Sequence, residues 1–358
     1  MPSISAPVSL ASLPTAHRLS TVAKISISPH FSAKASPSTS FSKKSGISRV
    51  NGTMADKLIS LFFLPCLFFS ACSPSQTTYD IQKIRRYDGK HAMTWCRNIV
   101  ALGPRHPDTP AAEKLRTMIR QHCREQNMVL ISDSWQEKTP FGPVRFTNLI
   151  ANPPPASGKF IVLASHYDTK HIAEAPTFTG ANDGASSTAL LLDLITLYSQ
   201  KKITSPYPIT FVFFDGEECF QRYTSSDGLY GSRRLCRQWQ EAGVVERIHA
   251  FILLDMIADA GLCLTISPAD TPHLRRHLMA VTEHTQLSEH VRTFRTSILD
   301  DHTPFLEAGV PAIDFIDFDY GPNNTYWHTE EDTLDKLSVA SFSHTGTLLL
   351  TFLANLPP

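Results

Sequence analysis

Three short, continuously apolar runs, 159–165, 209–214 and 250–254, stop at polar clusters: His166-Tyr167-Asp168, Asp215-Gly216-Glu217-Glu218 and Asp255. Runs of this length without polar alternation are the pattern of strands buried on both faces. Segments of helical period separate them: 185–199, 226–242, 272–285 and a closing stretch at 337–356. A further strand is expected at 312–318. Upstream, 79–101 and 109–125 read as helices, the second opened by Asp108-Thr109-Pro110 as cap and first turn, and 128–135 and 144–151 read as strands. Strands alternating with helices predict a single α/β domain with a mixed, mostly parallel central sheet covered by helices on both faces.

In such sheets ligands bind beyond the carboxyl ends of the strands, which is where the acids and histidines of this chain collect. Asp183 opens the helix that follows Gly180-Ala181-Asn182, and His328 lies in the loop after the last central strand. Each has an ordinary role in isolation: Asp183 as a helix cap, His328 as a surface group, Glu217-Glu218 as a solvated turn. Together, carboxylates plus imidazole with one position left open form the donor set of a catalytic zinc site. Adjacent glutamates at a strand end point in different directions, so one can bind metal while the other faces substrate as a base.

Length and charge set the frame for this site. The 358 residues include 42% apolar ones, enough for the core of one sizeable domain. Thirty-three basic residues balance thirty-three acidic ones, which leaves no long-range field to gather nucleic acid or anionic lipid. Cys96, Cys123, Cys219, Cys236 and Cys263 are odd in number and irregularly spaced, and no two form a Cys-x-x-Cys pair. They read as small buried side chains rather than a disulfide framework or a cysteine zinc site.

The N-terminal part follows other rules. Residues 1–55 contain no Asp or Glu and are rich in Ser, with scattered Lys and Arg. Residues 1–53 are therefore expected to be either a disordered leader of transit-peptide type or an upstream segment ahead of a true start at Met54. From Met54, Lys57, the apolar run 58–69 and Ser70-Ala71-Cys72 form an export signal over 54–72. Its ending resembles a bacterial lipoprotein box, with Cys72 as the lipidated residue, although Phe69 stands where such boxes have Leu. Residues 73–78 would be a tether and 79–358 the zinc-dependent catalytic domain. The expected location is outside the cytoplasm, as a membrane-anchored lipoprotein or a periplasmic or extracellular protein, with organelle import as the alternative. Membrane association is expected only through such a lipid.

The order His166-Tyr167-Asp168, Asn182-Asp183, Gly216-Glu217-Glu218, Leu254-Asp255, Asp301-His302-x-Pro304-Phe305 and Trp327-His328-Thr329 resembles the zinc aminopeptidase clan and its glutaminyl cyclase branch. Gly103-Pro104-Arg105 is similar to the motif near the start of these domains. Several details favour the cyclases. A longer segment, 219–226, intervenes before Asp227-Gly228-Leu229-Tyr230-Gly231-Ser232, and the Asp is doubled at Asp300-Asp301. His166-Tyr167-Asp168-Thr169-Lys170 is close to the cyclases' His-Tyr-Asp-Ser-Lys.

The resemblance implies one zinc ion held by Asp183, Glu218 and His328, with Glu217 as general acid and base. It also implies that Asp255 and Asp300 share a short hydrogen-bond network with Glu217, and that Trp327 walls the substrate pocket. Tyr223 stands where animal cyclases have Trp, and Leu299 where they have Gln, so the pocket departs from theirs in detail. Phe305 and Tyr320 are further pocket candidates, with core packing weighing more heavily for both. The implied reaction converts N-terminal Gln of peptides or proteins to pyroglutamate. Two rivals remain: an aminopeptidase holding a second zinc on His166 and Asp255 beside Asp183, and a non-catalytic binding domain on the same fold.

Overall fold

The computed structural model describes residues 81–358; the segment 1–53, the expected export signal 54–72 with Cys72, and the expected tether 73–78 lie outside the described residues. The chain proceeds through α1 (Lys90–Val100), α2 (Pro110–Glu125), β1 (Leu130–Thr139), β2 (Gly142–Ala151), β3 (Phe160–His166), α3 (Ala185–Ser199), β4 (Ile209–Phe214) and α4 (Tyr230–Glu241). It continues through β5 (Ile248–Asp255), β6 (Leu264–Ile266), α5 (Pro272–Thr285), β7 (Val291–Thr293), α6 (Thr303–Glu307), β8 (Ala312–Ile316) and α7 (Val339–Ala354).

The apolar runs become the middle of the main sheet, whose order is β1-β2-β4-β3-β5-β8. β4, β3, β5 and β8 run parallel, while β2 joins β4 antiparallel and β1 closes that edge as the other arm of a hairpin. Every residue of β3 and β4 is buried, as their unbroken hydrophobicity requires. One face is covered by α1, α2, α3, α5 and α7, and the other by α4 and α6, so the sheet divides two apolar cores. The five cysteines are free thiols, and four of them are buried. Among the described residues no helix is long and apolar enough to cross a membrane.

The sequence suggests a helix over 79–101, but among the described residues of that span only Lys90–Val100 is helical; residues 81–88 carry no helix. This strap lies along α7 and spends its amides there. Arg85, Tyr87 and Gly89 donate their N–H groups to the hydroxyls of Thr351, Thr347 and Ser343 at 3.0, 3.1 and 2.9 Å, and Asn355 Oδ1 accepts from Gln82 and Lys83. Two residues of extended chain advance about 6.6 Å and one i to i+4 step of helix about 6.0 Å, so the two ladders stay in step. Those amides cannot also serve an internal helix. The small β6–β7 pair and α6 are too short to leave a periodic signal.

Candidate active site

Because β4, β3, β5 and β8 are parallel neighbours, their carboxyl ends align: His166 pairs with Phe214, and Asp255 with Ile316. The turns leaving these strands therefore deliver Glu217-Glu218, His166 and Asp255 to one edge. Two carboxylates fix the turns. Asp168 accepts the Glu217 N–H on Oδ1 at 3.2 Å and the Glu218 N–H on Oδ2 at 3.3 Å. Asp332 does the same for Asn182 and Asp183, at 2.7 and 3.2 Å, and takes a further bond from the Tyr320 hydroxyl at 2.8 Å. At Gly184, with φ of 84°, an added Cβ would stand 2.8 Å from the Asp168 carbonyl oxygen, so only glycine lets this helix start reach β3.

Behind the turns, Arg105 is fully buried and donates to the backbone carbonyls of Tyr167, Thr179 and Gly180 at 3.1, 2.7 and 3.3 Å. It ties the exit of β3 to the approach to Asp183. Burial lowers its pKa to about 10, still protonated at neutral pH.

Asp183 is the pivot. Its Oδ2 lies 3.3 Å from His328 Nε2, which is 3.2 Å from Glu218 Oε1; its Oδ1 lies 3.3 Å from His166 Nε2, which is 3.1 Å from Asp255 Oδ1. Two triads of possible metal ligands, Asp183/Glu218/His328 and His166/Asp183/Asp255, thus share one carboxylate. Asp183 Oδ2 is buried without a hydrogen-bond partner, and this oxygen, a second carboxylate and an imidazole converge beside an open cavity. That donor set fits a divalent cation with a position left for substrate. Lys170 neutralises the far side, its ammonium 3.1 Å from Glu218 Oε2.

The electrostatics separate the two glutamates. Burial, then Glu218 and Asp300, hold Glu217 well above the ordinary carboxylate range. Burial acts on Glu218 as well, but the charge of His328 overcomes it and leaves Glu218 below its usual value. Burial opposes protonation of His328; the carboxylates of Glu218 and Asp183 outweigh it and push His328 up to about 9. Asp300 is raised far by burial and by Asp255 and Asp301, and Asp255 by burial. One carboxyl group pushed up beside one pushed down is the kind of pairing that acid and base work uses.

A cavity of about 200 Å³ opens over these groups. Asp183, Glu217, Glu218, Asp255, Asp300 and His328 form its polar side, and Trp327, Tyr223, Phe318, Phe294, Ile298 and Leu299 its apolar wall. Trp327 stacks on His328 at 3.9 Å and meets Phe318 edge-on.

Two sequence expectations are corrected here. Phe305 does not line the cavity: it is fully buried on the opposite face of the sheet, 4.2 Å from Phe251 and packed against Trp239. Tyr320, for which core packing weighs more heavily in the sequence, is indeed internal and supports Asp332. Glu217 is hydrogen-bonded by Tyr223 rather than by Asp255 or Asp300; Asp255 pairs with His166, and Asp300 acts on Glu217 through its charge. Sequence reasoning passed over Asp332, which no pattern marks, and the 294–298 wall, which follows a strand of only three residues.

A parallel sheet with this edge defines the aminopeptidase-like class of metal-site α/β enzymes. The chain belongs to peptidase family M28, which it matches over residues 148–353, and within that family it groups with the glutaminyl cyclases. It is 30% identical over 287 residues to a glutaminyl-peptide cyclotransferase of Dictyostelium discoideum, covering 66% of this chain and 77% of that one. The Bos taurus glutaminyl-peptide cyclotransferase is 29% identical over 281 residues, covering 69% and 77%. The crystal structure of an Acidobacteriales bacterium glutaminyl cyclase superposes with a TM-score of 0.69 at 35% identity, covering 78% of this chain and 98% of that one.

Proposed function

We propose that this chain is a zinc-dependent glutaminyl-peptide cyclotransferase that closes the N-terminal Gln of peptides and proteins into pyroglutamate with release of ammonia. The observation that carries it is the placing of Glu217, buried beside the Asp183/Glu218/His328 donor set at the head of a small cavity with one apolar wall.

Asp183, Glu218 and His328 would hold the zinc ion, which when bound supplies a Lewis acid for the side-chain amide carbonyl. The substrate's own α-amine attacks the amide carbon, forming the ring C–N bond, and the bond to the amide nitrogen breaks. Glu217 removes a proton from the attacking amine and delivers it to the departing ammonia, so the carboxyl group ends the cycle as it began. The reaction is intramolecular, and the Trp327 wall favours the folded-back conformer in which amine and carbonyl meet.

The alignment of His166 and Asp255 on the second oxygen of Asp183 supports one rival, a two-zinc aminopeptidase. Incubating the purified protein with a Gln-initiated peptide, while measuring ammonia, peptide mass and bound zinc, separates the two. Ammonia release with one zinc per chain fits the cyclotransferase; residues trimmed from the N-terminus with two zincs would replace it. We further propose that 54–72 directs export and that Cys72 carries a lipid. Membrane-fraction protein that is unchanged in Cys72→Ser would refute the anchor.

A further inference from the structure

The segment between Glu218 and α4 ends by bringing one hydroxyl back onto the glutamate pair. Tyr223 Oη lies 2.9 and 3.1 Å from the two carboxylate oxygens of Glu217 and 3.2 Å from Glu218 Oε2. A phenol has one proton to donate and lone pairs to accept with, so this atom can bond Glu217 in either protonation state.

The loop is built to hold that atom. Asp227 gathers it by accepting the N–H groups of Phe220, Gln221 and Arg222 at 2.8, 2.9 and 3.2 Å, and Thr224 N–H bonds the Asp227 carbonyl at 3.0 Å. The ring is seated on Gly228, where a Cβ would stand 2.5 Å from Tyr223 Cδ1. Lys170, itself bonded to Glu218, places its ammonium over the ring, 5.3 Å from the centroid. A side chain that only walled off an apolar pocket would need no such aim at a carboxylate.

We infer that Tyr223 is a positioning residue: its hydroxyl keeps the Glu217 carboxyl group in one orientation while the proton moves on and off it. This rests on the cyclotransferase reading above. Misplacement of a base by a fraction of an ångström is felt in turnover rather than in ground-state binding.

Tyr223→Phe removes one oxygen and keeps the ring in its seat. With a Gln-initiated peptide, kcat should fall about 10- to 100-fold, the scale of one lost hydrogen bond to a charged group, with KM within about threefold of the parent. Zinc content and Tm should be unchanged. Tyr223→Trp, which fills the space without aiming a donor at both oxygens, should not restore kcat. Unchanged kcat in Tyr223→Phe, or a raised KM at normal kcat, would show a wall and nothing more. Loss of zinc would assign the hydroxyl to Glu218 instead. If the parent protein releases no ammonia from any Gln peptide, the activity fails and this role with it; if it does and Tyr223→Phe is unimpaired, this role alone fails.

Discussion

Asp168 accepts the backbone N–H of Glu217 at 3.2 Å, so the residue that leaves β3 aims the residue that leaves β4. Its other oxygen takes the next amide, that of Glu218. One buried carboxylate therefore sets the relative orientation of the proposed base and the proposed metal ligand before either meets a ligand. Asp332 repeats the device at Asn182-Asp183 across the site.

Asp168→Ala should accordingly damage both functions of the pair. The two amides lose a buried acceptor, and each unsatisfied buried group costs about 1–3 kcal/mol. The expected outcome is weaker zinc retention and a loss of turnover exceeding tenfold, read by metal analysis after dialysis and by ammonia release. Asp168→Asn keeps an acceptor for only one amide and should fall between. Wild-type zinc content and rate in Asp168→Ala would refute the aiming role.

The shared oxygens of Asp183 make a sharper prediction about metal. His328→Ala removes the imidazole from the Asp183/Glu218 set and should strip the protein of zinc, because two carboxylates alone leave half the coordination unfilled. His166→Ala should leave one zinc per chain in place, since in the single-metal reading His166 serves Asp255 through its 3.1 Å bond. A fall from two zincs to one in His166→Ala would instead reveal a second metal.

How much of this was legible in the sequence follows from how local each signal is. The unbroken runs at Phe160–His166 and Ile209–Phe214 fix buried strands by themselves, and parallel pairing then forces their polar ends together; Glu217, Glu218 and Asp255 stand out this way, whereas Asp183, at the head of α3, and His328, in the loop after β8, join them through the donor set they complete. The strap at 81–89 was not legible, because what unwinds it is a row of hydroxyls on α7 more than 250 residues away. Nor could periodicity say which face of the sheet a short connecting helix covers, and this misplaced Phe305. The aromatic follows the doubled Asp closely in sequence, yet α6 turns it toward α4 and away from the cavity.

Phe305→Ala should therefore behave as a core mutation. It removes a ring stacked at 4.2 Å on Phe251, and such truncations cost about 3–5 kcal/mol. The midpoint of denaturant unfolding should drop sharply while KM for a Gln-initiated peptide, measured at low temperature, stays near the parent value. A raised KM without loss of stability would return Phe305 to the substrate pocket.

The last prediction concerns pH and stability away from the metal site. Asp270 is fully buried beside His302, and burial raises its pKa to about 7, while burial lowers His302 to about 3, leaving the imidazole neutral. The folded protein thus binds the Asp270 proton more tightly than the unfolded chain, whose Asp titrates near 3.9. Stability from this group is fully present below the unfolded value and is lost as pH climbs from about 4 to about 7, where folding must bury a charge. Asp270→Asn mimics the protonated side chain and can still accept the Ser267 N–H that Asp270 holds at 2.9 Å. Its Tm relative to the parent should rise as pH goes from 4 to 8 and level off above about 7. A gap that narrows over that range would mean that Asp270 is ionised in the fold, with a partner strong enough to keep it so.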